Sequence, residues 1–190
     1  AIPRDLRCFI SLDYGFDMLA ALLIGVDKNG NLFVLKEICL PDLTLRAAAE
    51  RVAKLAAERS VEYAVASPDL WNRRQDTGKS GFEIMQSTPG MPPMSPADNR
   101  RIPGWRILRE YLSPRKDQPV LRISSECETL IRSLPALLCD AIHPEDASNE
   151  PHSVTHAPEA LRYGVMSRSQ PYREEARDKN FRFGTKKTIF

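Results

Sequence analysis

The sequence lacks the features of a secreted, membrane-spanning or zinc-binding protein. Its four cysteines, Cys8, Cys39, Cys127 and Cys139, are widely spaced and form no C-x-x-C pair, which argues against a zinc site and a disulfide framework. No apolar run approaches the roughly 18 to 20 residues of a membrane span, and the N-terminus has neither the basic start nor the apolar core of a signal peptide. These absences favour reduced thiols in a cytosol-like compartment.

The chain also has no initiator methionine, which predicts an excised fragment or a processed chain. Its 190 residues suit one domain that buries about 70% of its unfolded surface, so folding needs no disulfide or structural metal. No internal repeat is visible. We expect a domain over residues 1–167 and a basic, mobile tail over 168–190.

The net charge of +2 indicates no partner by itself, but the basic residues are unevenly distributed. Seven of them lie between Arg100 and Arg122, and seven more between Arg168 and Lys187. Such concentrations can mark a nucleic-acid site. A solvated helix face and a charged tail would have the same composition.

Alternating and continuous apolar runs predict a mixed α/β fold. An opening meander of three antiparallel strands is followed by a helix capped by Thr44, a fourth strand, an irregular region at 72–104, a helix, a short strand and two closing helices. The irregular region is expected to be a long surface loop or an insertion around a short helix. The predicted strands are 7–13, 18–26, 32–38, 61–66 and 120–123, and the predicted helices are 45–59, 105–112, 126–138 and 156–166. This element order is that of ribonuclease H-like domains, in which helices flank a mixed sheet.

A Gly78-Lys79-Ser80 tripeptide invites a phosphate-loop interpretation, which the sequence does not support. The phosphate loop needs a second glycine five residues earlier so that backbone amides can wrap the phosphates, and Arg73 stands there. No strand leads directly into the tripeptide. ATP hydrolysis by this chain is therefore not expected.

Three acidic residues and one histidine are candidates for a metal centre. Asp13 and Asp69 each follow a buried strand, and His156 and Glu159 share one face near the start of a helix that Thr155 is predicted to cap. Taken singly, each has an ordinary structural explanation as a turn, cap or surface residue. Together they offer the oxygen ligands that two Mg²⁺ or Mn²⁺ ions about 4 Å apart require for phosphodiester hydrolysis.

The order of these motifs resembles the C-terminal nuclease domain of the large terminase subunit of tailed bacteriophages. The resemblance covers most of the chain. It rests on Ser-Leu-Asp13-Tyr-Gly-Phe-Asp17, Ala-Ser-Pro-Asp69-Leu-Trp and His156-Ala-Pro-Glu159-Ala-Leu-Arg-Tyr163, with support from Asn99-Arg-Arg-Ile-Pro-Gly-Trp105, Leu130-Ile-Arg-Ser-Leu-Pro135 and Pro144-Glu-Asp146.

The resemblance implies a metal-dependent endonuclease that cuts concatemeric viral double-stranded DNA during genome packaging, in the cytoplasm of the host cell. It also implies an ATPase domain missing from this chain, a small terminase subunit and a portal as partners. A Holliday-junction resolvase or ribonuclease H of the same fold is an alternative. So is a non-catalytic assembly domain that binds DNA or the portal.

The resemblance also suggests roles. Asp13 would be shared by both metals, Asp69 and Glu159 would hold one each, and His156 would complete a coordination sphere or handle a proton. The family commonly has Asp where this chain has Glu159, and often an acidic residue at the position of Thr155. The longer Glu159 would shift its metal or need another rotamer.

Basic residues of the irregular region are candidates for phosphate contacts, although a solvated loop would explain them equally well. They are Arg73, Arg74, Lys79, Arg100 and Arg101. Trp71 and Trp105 are expected to be packing residues rather than base-stacking platforms.

Overall fold

A computed structural model describes residues 2–3, 5–15, 17–73, 75, 78–114 and 118–168. The predicted tail lies outside the described residues except for Arg168, which ends the last helix. Among the described residues, every helix is too short or too polar to cross a bilayer.

In the part of the chain that the structure describes, six strands form one mixed sheet in the order β5-β4-β1-β2-β3-β6. The strands are β1 (Arg7–Tyr14), β2 (Met18–Val26), β3 (Leu32–Pro41), β4 (Val61–Ala66), β5 (Met94–Pro96) and β6 (Leu121–Ile123). The α-helices are α1 (Leu45–Ala56), α2 (Gly81–Gln86), α3 (Arg101–Leu112), α4 (Glu128–Ala136) and α5 (His156–Arg168).

The opening meander is confirmed, and with it the ribonuclease H-like sheet. β1 pairs antiparallel with β2, and β2 with β3. The β2–β3 turn is stabilised by Asp27, whose Oδ1 accepts hydrogen bonds from the backbone amides of Asn29 and Asn31. Gly30 adopts a φ of 79° there, a conformation that glycine adopts without steric cost.

The remaining strands pair in parallel, and one of them was not predicted. β4 lies beside β1, β6 beside β3, and β5 beside β4. β5 falls in the region that the sequence pattern leaves irregular, as does α2. A three-residue strand has too little alternation to be recognised, and its backbone extends only because β4 supplies its hydrogen-bond partners.

The helix predictions hold with shifted ends. Thr44 caps α1 as expected by accepting a hydrogen bond from the Ala47 amide, but α1 ends at Ala56 rather than near residue 59. α3 begins at Arg101, four residues before the predicted start. α4 is shorter than predicted and contains Pro135 in its last turn.

The sheet separates two hydrophobic cores, and strand alternation decides which residues face which core. One face of the sheet packs against α1 and α2, and the other against α3, α4 and α5. In β1, Ile10 and Leu12 belong to the first core, while Phe9 belongs to the second. Because successive side chains of a strand alternate, Ser11 and Asp13 lie on the same side as Phe9, facing α5.

α5 packs tightly against the sheet because small residues line its contact with β1 and β2. Ser11 Oγ donates a hydrogen bond to the Ala160 carbonyl over 2.5 Å. A Cβ on Gly164 would lie 2.8 Å from Ile24 Cδ1, closer than real Cβ contacts, and 3.2 Å from Ser11 Cβ, closer than most of them. This close approach fixes the start of α5 next to the end of β1.

Replacing Gly164 with Ala should therefore destabilise the protein. Overpacking of this kind costs about 1–3 kcal/mol, which outweighs the ~1 kcal/mol that Ala gains over Gly by helix propensity. Urea denaturation followed by circular dichroism measures the free energy of unfolding. Glu50→Ala on the exposed face of α1 is the control and should change stability by less than about 0.5 kcal/mol. A G164A protein as stable as wild type would contradict the close packing.

Candidate metal and nucleic-acid site

Asp13 lies at the carboxyl end of β1, with its side chain largely buried under the start of α5. Its Oδ2 atom is 2.8 Å from His156 Nδ1. The hydrogen bond to Asp13 raises the pKa of His156 above its usual value, against the opposing effect of burial. Among the described residues, Oδ1 of Asp13 accepts no hydrogen bond, so this oxygen is available to a ligand.

Asp69 is brought to the same edge by the parallel pairing of β1 and β4. Leu12 lies opposite Ala66, and the Ser67 amide donates to the Leu12 carbonyl over 3.1 Å. Asp69 follows in the 3-10 turn Pro68–Trp71, where it is exposed. It lines a small cleft together with Gly15. Because parallel strands end at one edge, the first two acidic motifs lie at the same edge of the sheet.

The third motif enters from α5, although Thr155 does not cap this helix as predicted. Thr155 has helical backbone angles, and its hydroxyl donates to the His152 carbonyl over 2.9 Å. The 3-10 turn His152–Val154 runs directly into α5, so no extended cap residue precedes the helix. His156 and Glu159 are both buried at its N-terminus.

Glu159 is held by two arginines rather than directed into open space. Arg162 donates from Nε to Glu159 Oε2 over 2.7 Å, and Arg101 Nη1 donates to the other oxygen, Oε1. Burial raises the pKa of the Glu159 carboxyl, while the two guanidinium groups act in the opposite direction. Both oxygens of the predicted metal ligand thus have cationic partners.

Arg162 is completely buried and is surrounded by groups that suit a cation. Its Nη2 lies 3.3 Å from Asn99 Oδ1, and its guanidinium carbon lies 4.5 Å from the centroid of the Tyr163 ring and 5.6 Å from that of Trp105. A Cβ on Gly104 would come within 2.8 Å of its side chain, so α3 must present glycine at this point.

Arg101 was a candidate DNA contact, and the structure gives it internal partners. Its Nε lies 3.0 Å from both carboxylate oxygens of Asp146, and Nη2 donates to the Ala147 carbonyl over 2.7 Å. Trp105 Nε1 also donates to Asp146, and the indole is buried, as expected for a packing residue. Arg101 therefore joins Asp146 to Glu159 between α3 and α5.

The three predicted carboxylates act electrostatically on one point, the hydroxyl of Tyr163. Burial raises the pKa of this phenol, and the negative charges of Asp13, Glu159 and Asp69 raise it further. The hydroxyl donates to Asn99 Oδ1 over 3.3 Å. The end of β1, the turn after β4 and the first turn of α5 therefore all lie within electrostatic reach of Tyr163.

A histidine cluster beside Asp13 was not predicted. His152 Nδ1 lies 2.9 Å from Asp17 Oδ2, and His156 Nε2 lies 3.4 Å from Asp17 Oδ1. Burial would raise the pKa of Asp17, but hydrogen bonds from its own amide and from His152 lower it below its usual value. The signal was present in the sequence, because His152 and His156 are two of only three histidines and are four residues apart.

The basic residues predicted to contact phosphates differ in their exposure and in their ion-pair partners. Arg73 and Lys79 are exposed near the β4 edge, and Arg73 forms a backbone bridge with Ser80. Arg100 is exposed and paired with Asp98 at 2.5 Å. Arg74 lies outside the described residues.

Comparison with known proteins confirms the resemblance at the level of the fold. No protein-family model and no curated protein matches the chain. Among solved structures, the large terminase nuclease domain of bacteriophage SPP1 with bound Mn is 19% identical, with a TM-score of 0.60 over 83% of this chain and 84% of that one. The large terminase nuclease of thermophilic phage G20c is 14% identical, with a TM-score of 0.58 over 88% and 84% of the two chains.

A third similar structure is also a large terminase nuclease domain with low sequence identity. The nuclease domain of the large terminase subunit of bacterial virus Sf6 is 11% identical, with a TM-score of 0.53 over 87% of this chain and 89% of that one. This chain therefore has the ribonuclease H-like fold of large terminase nuclease domains.

The buried arginine gives a prediction for stability. Replacing Arg162 with Met should lower the free energy of unfolding by about 3–5 kcal/mol, because the Glu159 carboxylate would lose a buried partner. Arg132→Met is the matched control, since Arg132 pairs with Glu128 on α4 but both side chains are mostly exposed. That variant should change stability by less than about 1 kcal/mol. Equal losses in the two variants would refute the structural role of Arg162.

Proposed function

We propose that this chain is a divalent-metal-dependent endonuclease domain that cuts double-stranded DNA. The observation that carries the proposal is the Asp13–His156 contact at the end of β1, at the same sheet edge as the turn that carries Asp69, in a sheet whose fold is that of terminase nuclease domains. Similar structures have been solved with bound Mn and with bound magnesium. Two strand ends and a helix start give the donors separate, rigid supports.

Mg²⁺ or Mn²⁺ is the ion that these residues suit. Asp13 has a free oxygen and Asp69 is exposed in the adjoining cleft, while the buried Nε2 atom of His156 has no hydrogen-bond partner among the described residues. We assign Asp13, Asp69, His156 and Glu159 to metal binding, with two ions as the expected number. Ions held there would activate a water molecule and stabilise the leaving oxygen of a phosphodiester.

Glu159 could bind a metal only if one of its two arginine partners moved away. Its Oε1 atom is bonded to Arg101, whose guanidinium is partly exposed, and Oε2 to the fully buried Arg162. A metal at Glu159 would therefore replace Arg101, because Arg162 has no room to leave. Arg162 would keep the carboxylate in position in either state.

DNA would lie across the same edge, with its phosphates near exposed basic side chains. We assign Arg73, Lys79 and Arg100 to this surface and keep Arg74 as a candidate from the sequence. Arg101 would contribute only after releasing Glu159. The likeness to terminases extends the proposal to cutting concatemeric viral DNA during packaging in the host cytoplasm, with an ATPase domain, a small terminase subunit and a portal as partners.

A supercoiled-plasmid assay tests the proposal. Asp13→Asn should abolish nicking in Mg²⁺ or Mn²⁺ because the neutral amide is a poor ligand for either ion, whereas chelator should abolish nicking by the wild-type protein. The melting temperature of the variant should stay within about 4 °C of wild type.

Asp5→Asn provides the control, since Asp5 is an exposed carboxylate just before the opposite end of β1. It should nick at the wild-type rate. Undiminished nicking by D13N would refute the catalytic assignment. Cruciform DNA and an RNA–DNA hybrid, run in parallel, would identify a resolvase or a ribonuclease H by faster cleavage than that of plasmid.

DNA binding should weaken as salt rises. The logarithm of affinity for duplex DNA should fall with the logarithm of salt concentration by about 0.9 per phosphate neutralised. Arg100→Gln should reduce this slope by about 0.9. Arg51→Gln, on the exposed face of α1 across the sheet, should leave the slope unchanged. Binding that does not depend on salt would argue against a phosphate surface.

The ion pairs of Glu159 favour one second candidate, a non-catalytic domain that binds DNA or a portal. In that case the arginines would have replaced metal as the partners of this carboxylate. Salt-dependent DNA binding with no metal-dependent nicking by the wild-type protein would establish it.

A further inference from the structure

We propose that Asp17, His152 and His156 form a separate metal site that prefers a transition metal, such as Zn²⁺, Co²⁺ or Mn²⁺, over Mg²⁺. The site and the proposed nuclease centre use the same atom, Nε2 of His156, whose single lone pair binds one metal at a time, so the two uses of His156 are alternatives. The site depends on different contacts and does not require that the chain cut DNA. Three observations support it: a buried nitrogen without a hydrogen bond, the mutual distances of three donors, and the chemistry of the donor set.

The buried nitrogen is His156 Nε2. The imidazole is 7% exposed, and Nε2 makes no hydrogen bond among the described residues, although the Asp17 carboxylate lies 3.4 Å away. Nδ1 bonds to Asp13, and the ring packs closely on Gly15, where a Cβ would lie only 2.9 Å from Cε1. A buried polar nitrogen without a hydrogen bond costs free energy, and a bound metal would remove that cost.

Nε2 faces the other two donors. It lies 3.4 Å from Asp17 Oδ1, and Asp17 Oδ2 lies 2.9 Å from His152 Nδ1. The two imidazole rings are nearly perpendicular, with centroids 4.6 Å apart. One ligand atom from each of the three residues falls within 4.8 Å of the others. Donors bound about 2.1 Å from a metal lie about 3 to 3.5 Å apart, so binding needs only small movements of exposed side chains.

The backbone accounts for this arrangement. Asp17 lies between β1 and β2, four residues beyond Asp13. His152 begins the 3-10 turn that leads into α5, and His156 begins α5 itself. Asp17 and His152 are about half exposed, whereas His156 is buried. The site is therefore open to solvent on one side and rigid on the other.

The donor set determines which metal is preferred. Two imidazoles and one carboxylate are typical ligands of Zn²⁺, Co²⁺, Mn²⁺ or Fe²⁺, whereas Mg²⁺ requires oxygen ligands and keeps its water. Asp13 completes the arrangement, because a carboxylate that accepts the Nδ1 proton of a histidine fixes the tautomer in which Nε2 binds metal. Such a site differs from the carboxylate-rich centre of Asp13, Asp69 and Glu159.

Metal titrations of the chelator-treated protein test the inference without measuring cleavage. Calorimetry with Zn²⁺ and visible absorption with Co²⁺ should show a site that His152→Ala and Asp17→Asn each weaken by about tenfold or more. His143→Ala, which removes the third and exposed histidine, should bind like wild type. Mg²⁺ in large excess should not displace Co²⁺.

The outcomes separate this inference from the proposed function. Equal Zn²⁺ and Co²⁺ affinities of wild type and H152A would overturn the site, whatever the plasmid assay shows. Loss of Co²⁺ binding in H152A but not in Asp69→Asn would support it, even if the wild-type protein does not nick DNA. Loss in D69N but not in H152A would assign the bound ion to the carboxylate centre and refute the proposal.

Discussion

The close contact between α5 and β1 is the constraint on which the site depends. Ser11 bonds to the Ala160 carbonyl, and Gly164 lets the helix backbone approach the sheet, so the first turn of α5 is fixed beside the end of β1. His156 then meets Asp13 without further adjustment. A larger residue at Gly164 would move the helix away from the sheet, and the histidine with it. Packing in the core thus sets the geometry of polar groups at the edge.

The buried guanidinium of Arg162 is the second determinant of the site. A charge removed from water needs close partners, and Glu159, Asn99 and two aromatic faces provide them. Glu159 therefore neutralises a buried charge in the interior and also lies near Asp13 at the edge of the sheet. An aspartate would be one methylene shorter, so the longer side chain is consistent with a carboxylate that must reach two arginines. The position of the Glu159 carboxylate and the stability of the α3–α5 contact are therefore coupled.

Much of the fold could be predicted because its signals are local. The meander, α1 and β4 follow from alternation, turn residues and a helix cap, and each is confirmed within a few residues. β5 was missed because it is short and its hydrogen-bond partners lie on β4. α2 lies in the region where a short helix was one of two expectations, and its start has a local signal, the Ser80–Glu83 capping box. Thr155 is a residue type that often caps helices, but the preceding turn continues into α5. The Thr155 hydroxyl therefore donates to the His152 carbonyl instead of accepting from the helix. Local patterns fail where the partner of a residue is not local.

The sequence by itself determined the meander, α1, β4 and the later helices, and its motifs supplied the candidate residues Asp13, Asp69, His156 and Glu159. The elements could be predicted because strand and helix periods are properties of the local backbone. Only the tertiary structure decided what those residues contact. It gave Glu159 two arginine partners, placed Asp17 beside His156, and turned Arg101 from the surface towards the interior. Long-range ion pairs depend on which elements pack together. The positions of the paired residues along the chain do not indicate that packing.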